Sequence, residues 1–163
     1  MEIRFRSALA EDVPALHAAL SQLSVDLGDH HVAQEEDLLR AGFGPDPAFG
    51  AILAELGPPA AARTVGVSLF SPVFSTVRGA AGVYVADLWV AAEMRGQKLG
   101  QRLLGAVLEV AQDRWRARFL KLNVYEDSPD ARRFYERLGF TPAQSQTEMI
   151  LEEAGCAALR GER

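Results

Sequence analysis

Cysteine is nearly missing from this chain. Cys156 is the only one in 163 residues, so no disulfide can close within the molecule, and a reducing compartment is the simpler expectation. Its place near the C-terminus, far from any motif, reads as a structural or tail thiol rather than a nucleophile. No uncharged run approaches the ~20 residues that a bilayer span needs. The opening Met-Glu-Ile-Arg-Phe-Arg is charged from Glu2 onward and lacks the apolar core of a secretory signal, so a cytoplasmic protein without membrane association is expected. Basic residues are also short: 17 against 22 acidic, a net charge of −5, with no basic stripe to track a nucleic-acid backbone. Histidine occurs three times; Asp29-His30-His31 has no third ligand at metal spacing, so no metal site is expected. The Gly-Lys-Ser/Thr triplet of a Walker loop is absent, as is a Gly-x-Gly-x-x-Gly after the first strand.

What is present is a 48% apolar chain of ordinary domain length, able to bury roughly two-thirds of its unfolded surface. A single domain over residues 1–163 is expected. Ile3 and Phe5 alternate with charged neighbours as in a strand. Val13, Leu16, Leu20 and Leu23 fall at helical spacing behind Asp12 and Pro14, a good helix start. A short helix over 33–41 ends at Gly42, Gly44, Pro45 and Pro47. Residues 49–56, 63–74 and 83–90 read as strands, the last being β-branched and aromatic, with a hairpin loop over 75–82. Residues 98–115 are helical, with a stripe of Leu104, Leu108, Ala111 and Trp115 flanked by Leu103, Val107 and Val110. A strand over 119–124 follows. Ser128-Pro129-Asp130 then opens a helix that carries Ala131, Phe134, Tyr135 and Leu138 on one face and ends at Gly139. A last strand is expected over 147–151, then a short helix from Glu153. A meander of strands that gives way to alternating helices and strands implies a mixed sheet covered by helices.

The stretch with most chemistry is Val90-Ala91-Ala92-Glu93-Met94-Arg95-Gly96-Gln97-Lys98-Leu99-Gly100-Gln101. A strand ends, a glycine-bearing loop follows, and a long helix begins. Glycines let backbone approach a ligand, and the free N–H groups and positive dipole end of a helix suit a pyrophosphate. Arg95 and Lys98 add cationic donors. Alone, the segment reads first as a helix N-terminus with two incidental glycines, because loose glycine patterns are common.

Asn123-Val124-Tyr125-Glu126-Asp127-Ser128-Pro129-Asp130-Ala131-Arg132-Arg133-Phe134-Tyr135-Glu136-Arg137-Leu138-Gly139-Phe140 changes that balance. Taken together, the two stretches resemble the GNAT superfamily of acetyl-CoA-dependent N-acetyltransferases. Arg95 to Gly100 resembles the family's Arg/Gln-x-x-Gly-x-Gly/Ala pyrophosphate loop. The later stretch resembles its Asn-x-x-Ala-x-x-Phe-Tyr-x-x-Leu-Gly-Phe segment. Phe74-Ser75-Thr76 through Gly82-Val83-Tyr84-Val85-Ala86-Asp87-Leu88-Trp89-Val90 looks most like the diamine (polyamine) acetyltransferase branch.

The resemblance implies an α/β (α+β) fold: a mixed, mostly antiparallel sheet of six to seven strands with a central splay, flanked by four to five helices. It implies acetyl-CoA as cofactor, paired with the backbone of Leu88, Trp89 and Val90. The pyrophosphate would lie on Arg95, Gly96, Gln97, Lys98, Leu99, Gly100 and Gln101, with Ser128, Ala131 and Phe134 nearby. Two positions depart from the pattern: Lys98 stands where glycine is usual, and Ser128 where the first asparagine is usual. Tyr135 matches the general acid that protonates the departing thiolate, while core packing is the ordinary role for such an aromatic. The base is open. The polyamine branch would place glutamate at Ala86, and another subgroup at Asn123. Asp87 is the nearest acid on the fourth strand, with Glu126, Asp127 or a relayed water as alternatives. Asp26, His30, Asn123, Tyr125 and Glu126 are the expected acceptor-side residues.

The implied function is acetyl transfer to a primary amine of a small polyamine-like or amino-acid-like molecule, by direct attack in a ternary complex. A protein or peptide acceptor, an aminoglycoside-like acceptor, and a non-catalytic acyl-CoA-binding module are the alternatives. A homodimer is expected, because dimers are frequent in the family.

Overall fold

The computed structural model describes residues 2–162. The chain forms two compact units, Met1–Asn123 and Val124–Arg163.

The first unit holds β1 (Ile3–Ser7), α1 (Val13–Leu27), α2 (Glu35–Phe43), β2 (Gly50–Leu56), β3 (Arg63–Ser75), β4 (Ala80–Val90), α3 (Leu99–Trp115) and β5 (Leu120–Lys121). The strands lie in sequence order in one sheet, antiparallel from β1 to β4, and β5 joins β4 in parallel. Helices cover both faces. On one, Val13, Leu16, Ala19 and Leu20 of α1 and Leu38 of α2 pack against Ala51, Leu53, Val67 and Leu69. On the other, Leu103, Val107 and Ala111 of α3 are fully buried, and the Trp115 ring meets Phe70 edge-on at 6.1 Å. Each buried leucine contributes roughly 2 kcal/mol. The buried stripe of α3 runs through Leu99, Leu103, Leu104, Val107 and Ala111, and Leu108 of the expected stripe is 39% exposed.

The N-terminal end is tied by charge. Arg6 forks onto both Asp12 oxygens at 2.7 and 2.8 Å and also reaches Glu55 at 2.7 Å; Arg4 reaches Glu55 at 2.9 Å. Glu55 is a buried carboxylate, and this pairing is what makes its burial tolerable.

The second unit contains α4 (Pro129–Arg137) and α5 (Glu153–Leu159). The sheet therefore has five strands, not six to seven. Residues 147–151 form no strand, since a strand exists only where a neighbour completes its ladder and no ladder reaches them among the described residues. The strand expected over 119–124 shrinks to Leu120–Lys121 because its pairing with β4 ends at Tyr84.

Candidate active site

The site is set by an irregularity in β4. Leu69 pairs with Asp87, yet the next residue of β3, Phe70, pairs with Val85. Ala86 is thus the extra residue of a β-bulge. Without the bulge, alternation would put Asp87 on the α3 side with Val85. With it, Asp87 shares the α1-facing side with Leu69, and so does Tyr84, the partner of Ser71. Ser68 Oγ pins the bulge by donating to Asp87 O at 2.9 Å. Asp87 is half-buried; burial pushes its carboxyl up, and the His31 charge pulls the other way.

Beyond Tyr84 the outer edge of β4 has no strand neighbour among the described residues. Ala91 N–H donates to Val65 O at 2.8 Å, so Asp87 and Trp89 aim their backbone groups at β3 and Leu88 and Val90 aim theirs outward. Trp89, expected alongside them as a cofactor residue, instead packs its ring against the α1 core. Leu88 and the Val90 N–H present the backbone edge that a pantetheine amide chain needs, while the Val90 carbonyl accepts from Arg95 Nε at 3.2 Å.

That edge runs into the loop. Gly96 and Lys98 both have positive φ, 77° and 62°. The first intrahelical bond of α3 runs from Arg102 N to Lys98 O at 3.1 Å, so the N–H groups of Leu99, Gly100 and Gln101 lie ahead of the ladder. Successive N–H groups in such a turn make an anion-binding concavity, which fits a pyrophosphate. Lys98 is left-handed, a conformation that glycine adopts without strain. Its side chain is exposed. Arg102 lies over the Phe5 ring at 5.0 Å. Arg95 is committed elsewhere, donating from Nε to Val90 O at 3.2 Å and from its guanidinium to Asp26 Oδ2 at 2.8 Å.

Asp26 and Arg95 border a cleft of about 270 Å³ that Trp89, Gln22, Arg63 and Glu93 also line. Of the expected acceptor-side residues, Asp26 therefore stands beside the loop over 95–100. His30 is exposed on the loop after α1, and its neighbour His31 turns inward, with Nδ1 3.1 Å from Ser24 Oγ. Gly28 sets this path by ending α1 in a left-handed turn, φ 75°. Asn123 lies just past β5 and donates to the Tyr84 hydroxyl at 3.4 Å.

In the second unit, Ser128 stands at the N-cap of α4 without a side-chain capping bond; its N–H donates to Tyr125 O at 3.1 Å and its carbonyl accepts from Arg132. Tyr125 and Glu126 are exposed, and Ala131 and Phe134 are half-buried. The Leu138-Gly139-Phe140 stretch closes α4 as a Schellman cap, with Gly139 N bonded to Glu136 O at 3.0 Å and Phe140 N to Tyr135 O at 3.1 Å. The cap brings the Phe140 ring to 5.4 Å from Tyr135, whose other neighbour, Phe134, lies at 5.0 Å. Burial pushes the Tyr135 phenol up, so it holds its proton.

Neither His31 nor Tyr84 was among the expected site residues. Period-two counting hid the shared face of Tyr84 and Asp87, since the two are three residues apart and only a bulge aligns them. No group of three or more metal-ligating side chains occurs among the described residues.

The acetyltransferase (GNAT) family model matches residues 17–140, and the chain belongs to that family. It is an acetyltransferase, of a family that uses acetyl-CoA. It is 34% identical over 140 residues to a Bos taurus thialysine N-epsilon-acetyltransferase, covering 83% of this chain and 78% of that one. It is 32% identical over 151 residues to the Mus musculus protein of the same name, covering 89% and 86%. Among solved structures, a V. cholerae integron cassette protein superposes with a TM-score of 0.77 at 18% identity, covering 98% of both chains. A ribosomal-protein-alanine N-acetyltransferase from Brucella melitensis superposes with a TM-score of 0.72 at 17% identity, covering 93% of this chain and 100% of that one. These two likenesses establish the fold.

Proposed function

We propose that this protein transfers the acetyl group of acetyl-CoA to a primary amine of a small cationic molecule, amino-acid-like or polyamine-like, by direct attack in a ternary complex. The observation that carries this reading is the β4 edge, where the outward backbone of Leu88 and Val90 leads into the loop over 95–100 at the start of α3. Leu88 and Val90 would hold the pantetheine arm, and the N–H groups at the start of α3 the pyrophosphate. Bound there, acetyl-CoA supplies an acetyl group already activated as a thioester.

The acceptor class follows from charge. An ammonium is attracted by carboxylates, and Asp26 and Asp87 both belong to the first unit on its α1 side. Thialysine, named in the relatives, is an amino acid with a terminal amine, and it fits that description. An ammonium is no nucleophile, so a proton must leave first; a carboxylate raised by burial, as at Asp87, is better suited to take it than an ordinary surface acid. Tyr135, its proton retained, is assigned to protonate the departing thiolate.

An acceptor screen with free-thiol detection tests the reading. Thialysine, lysine, spermidine, an aminoglycoside and an N-terminal peptide are offered with acetyl-CoA. Turnover confined to the first three supports it; turnover only with the peptide or the aminoglycoside redirects it.

A further inference from the structure

Arg95 has two holds, one on each side of the proposed chemistry. Its Nε donates to Val90 O at 3.2 Å. Within a strand the N–H and C=O of one residue aim to the same side, so this carbonyl belongs to the outward edge assigned to the pantetheine arm. Its guanidinium donates to Asp26 Oδ2 at 2.8 Å, and Asp26 Oδ1 accepts from Gln22 Nε2 at 2.9 Å. Asp26 stands in the last turn of α1, which carries no basic residue. A carboxylate there lies at the negative end of the helix dipole and is stabilised by whichever cation reaches it. Both partners are accessible from the cleft, with the Asp26 side chain 29% and the Arg95 side chain 54% exposed. The cleft's other charged residues, Arg63 and Glu93, pair with each other. Asp26–Arg95 is therefore the ion pair of the cleft that is also tied to the β4 edge.

We propose that the Asp26–Arg95 pair is a latch through which the two substrates bind cooperatively. An acceptor ammonium that takes Asp26 releases Arg95 from Val90 O. Arg95, when drawn to the cofactor's phosphates, bares Asp26 for the ammonium. While Arg95 is latched, the Val90 carbonyl is occupied and the guanidinium charge is neutralised. Once it leaves, the carbonyl can accept from a pantetheine amide, and the guanidinium, one residue before Gly96, is available to the pyrophosphate. The exchange breaks and forms ion pairs and hydrogen bonds only. Asp26 binds the acceptor and acts on the cofactor site through Arg95, which is a positioning residue. Because both ligands displace one side chain, each tightens the other by the same factor. The pair is partly exposed, so that factor is about two- to fivefold. The proposal rests on the amine-acceptor reading above, since a ligand without a cation has nothing to exchange on Asp26.

The test is calorimetric binding with free CoA, which has no acetyl group to transfer, so no turnover intrudes. CoA is titrated with and without saturating thialysine or spermidine, and each amine with and without saturating CoA. In wild type each ligand is expected to lower the Kd of the other by the same factor, about two- to fivefold. Asp26→Asn and Arg95→Gln are each expected to bring that factor to about one. The two variants also carry opposite signatures that mere damage would not produce. Asp26→Asn, its Arg95 unlatched, binds CoA alone more tightly than wild type. Arg95→Gln, its Asp26 bare, binds the amine alone more tightly. A wild type that binds both ligands independently overturns the latch, and so does coupling that survives in either variant or a variant that loses affinity for both ligands. A wild type that binds CoA and neither amine overturns the amine-acceptor reading instead, and the latch falls with it.

Discussion

Asp26 of α1 holds Arg95 of the loop over 95–100 through a 2.8 Å ion pair. The same guanidinium is anchored to Val90 O, at the end of the β4 edge. One side chain therefore links the helix proposed to face the acceptor with the loop proposed to hold the cofactor.

Asp26→Asn releases Arg95 for the cofactor phosphates. The pair is partly exposed, worth about 0–1 kcal/mol, so the expected effect is at most about fivefold. KM for acetyl-CoA falls and KM for the cationic acceptor rises, read by varying each substrate at saturation of the other. A parallel rise in both would contradict this linkage.

Lys98 occupies a left-handed conformation, φ 62°, without being glycine. That costs about 1 kcal/mol. Lys98→Gly is expected to raise unfolding free energy in urea by about 0.5–1 kcal/mol. It also removes a cation from the loop, so acetyl-CoA affinity should weaken and become less salt-sensitive.

Asp12 and Asp87 should give opposite stability profiles with pH. The Asp12 carboxyl is held below its ordinary value of 3.8, chiefly by its hydrogen bonds to Arg6. Its contribution is present above the unfolded value and lost as pH falls through the depressed one. Asp12→Asn is thus destabilising at pH 7, and the gap closes in acid. Burial raises the Asp87 carboxyl, so its contribution is present in acid and lost as pH rises through the raised value. Asp87→Asn is expected to be more stable than wild type at pH 7 while losing turnover. Chemical denaturation at several pH values checks both signs.

Arg6→Met leaves Glu55 with Arg4 alone. Removing a partner from a buried pair costs about 3–5 kcal/mol. Because Arg4 remains, the lower end is expected, measured from the urea midpoint at pH 7.

Much of this was readable in the sequence. The loop over 95–100 and the Leu138-Gly139-Phe140 ending advertise themselves through glycine and proline placement, and both fold as those residues dictate, with a left-handed Gly96 and a Schellman cap at Gly139. The face of Asp87 was not readable, because a bulge at Ala86 breaks the period on which strand reading depends. That His31 rather than His30 turns inward was hidden too, since adjacent loop residues carry no period and the path is set by the turn at Gly28. The residues over 147–151 have strand-like composition, but composition supplies no neighbouring edge, and they remain outside the sheet.

The central claim is that this protein moves acetyl groups to amines with Tyr135 as acid, and Tyr135→Phe tests it most directly. Thiol release with thialysine is measured beside calorimetric binding of acetyl-CoA. The account predicts that the variant binds acetyl-CoA as wild type does, within about twofold, and turns over at least 100-fold more slowly, within the range for loss of a general acid. Undiminished thiol release from Tyr135→Phe would contradict it.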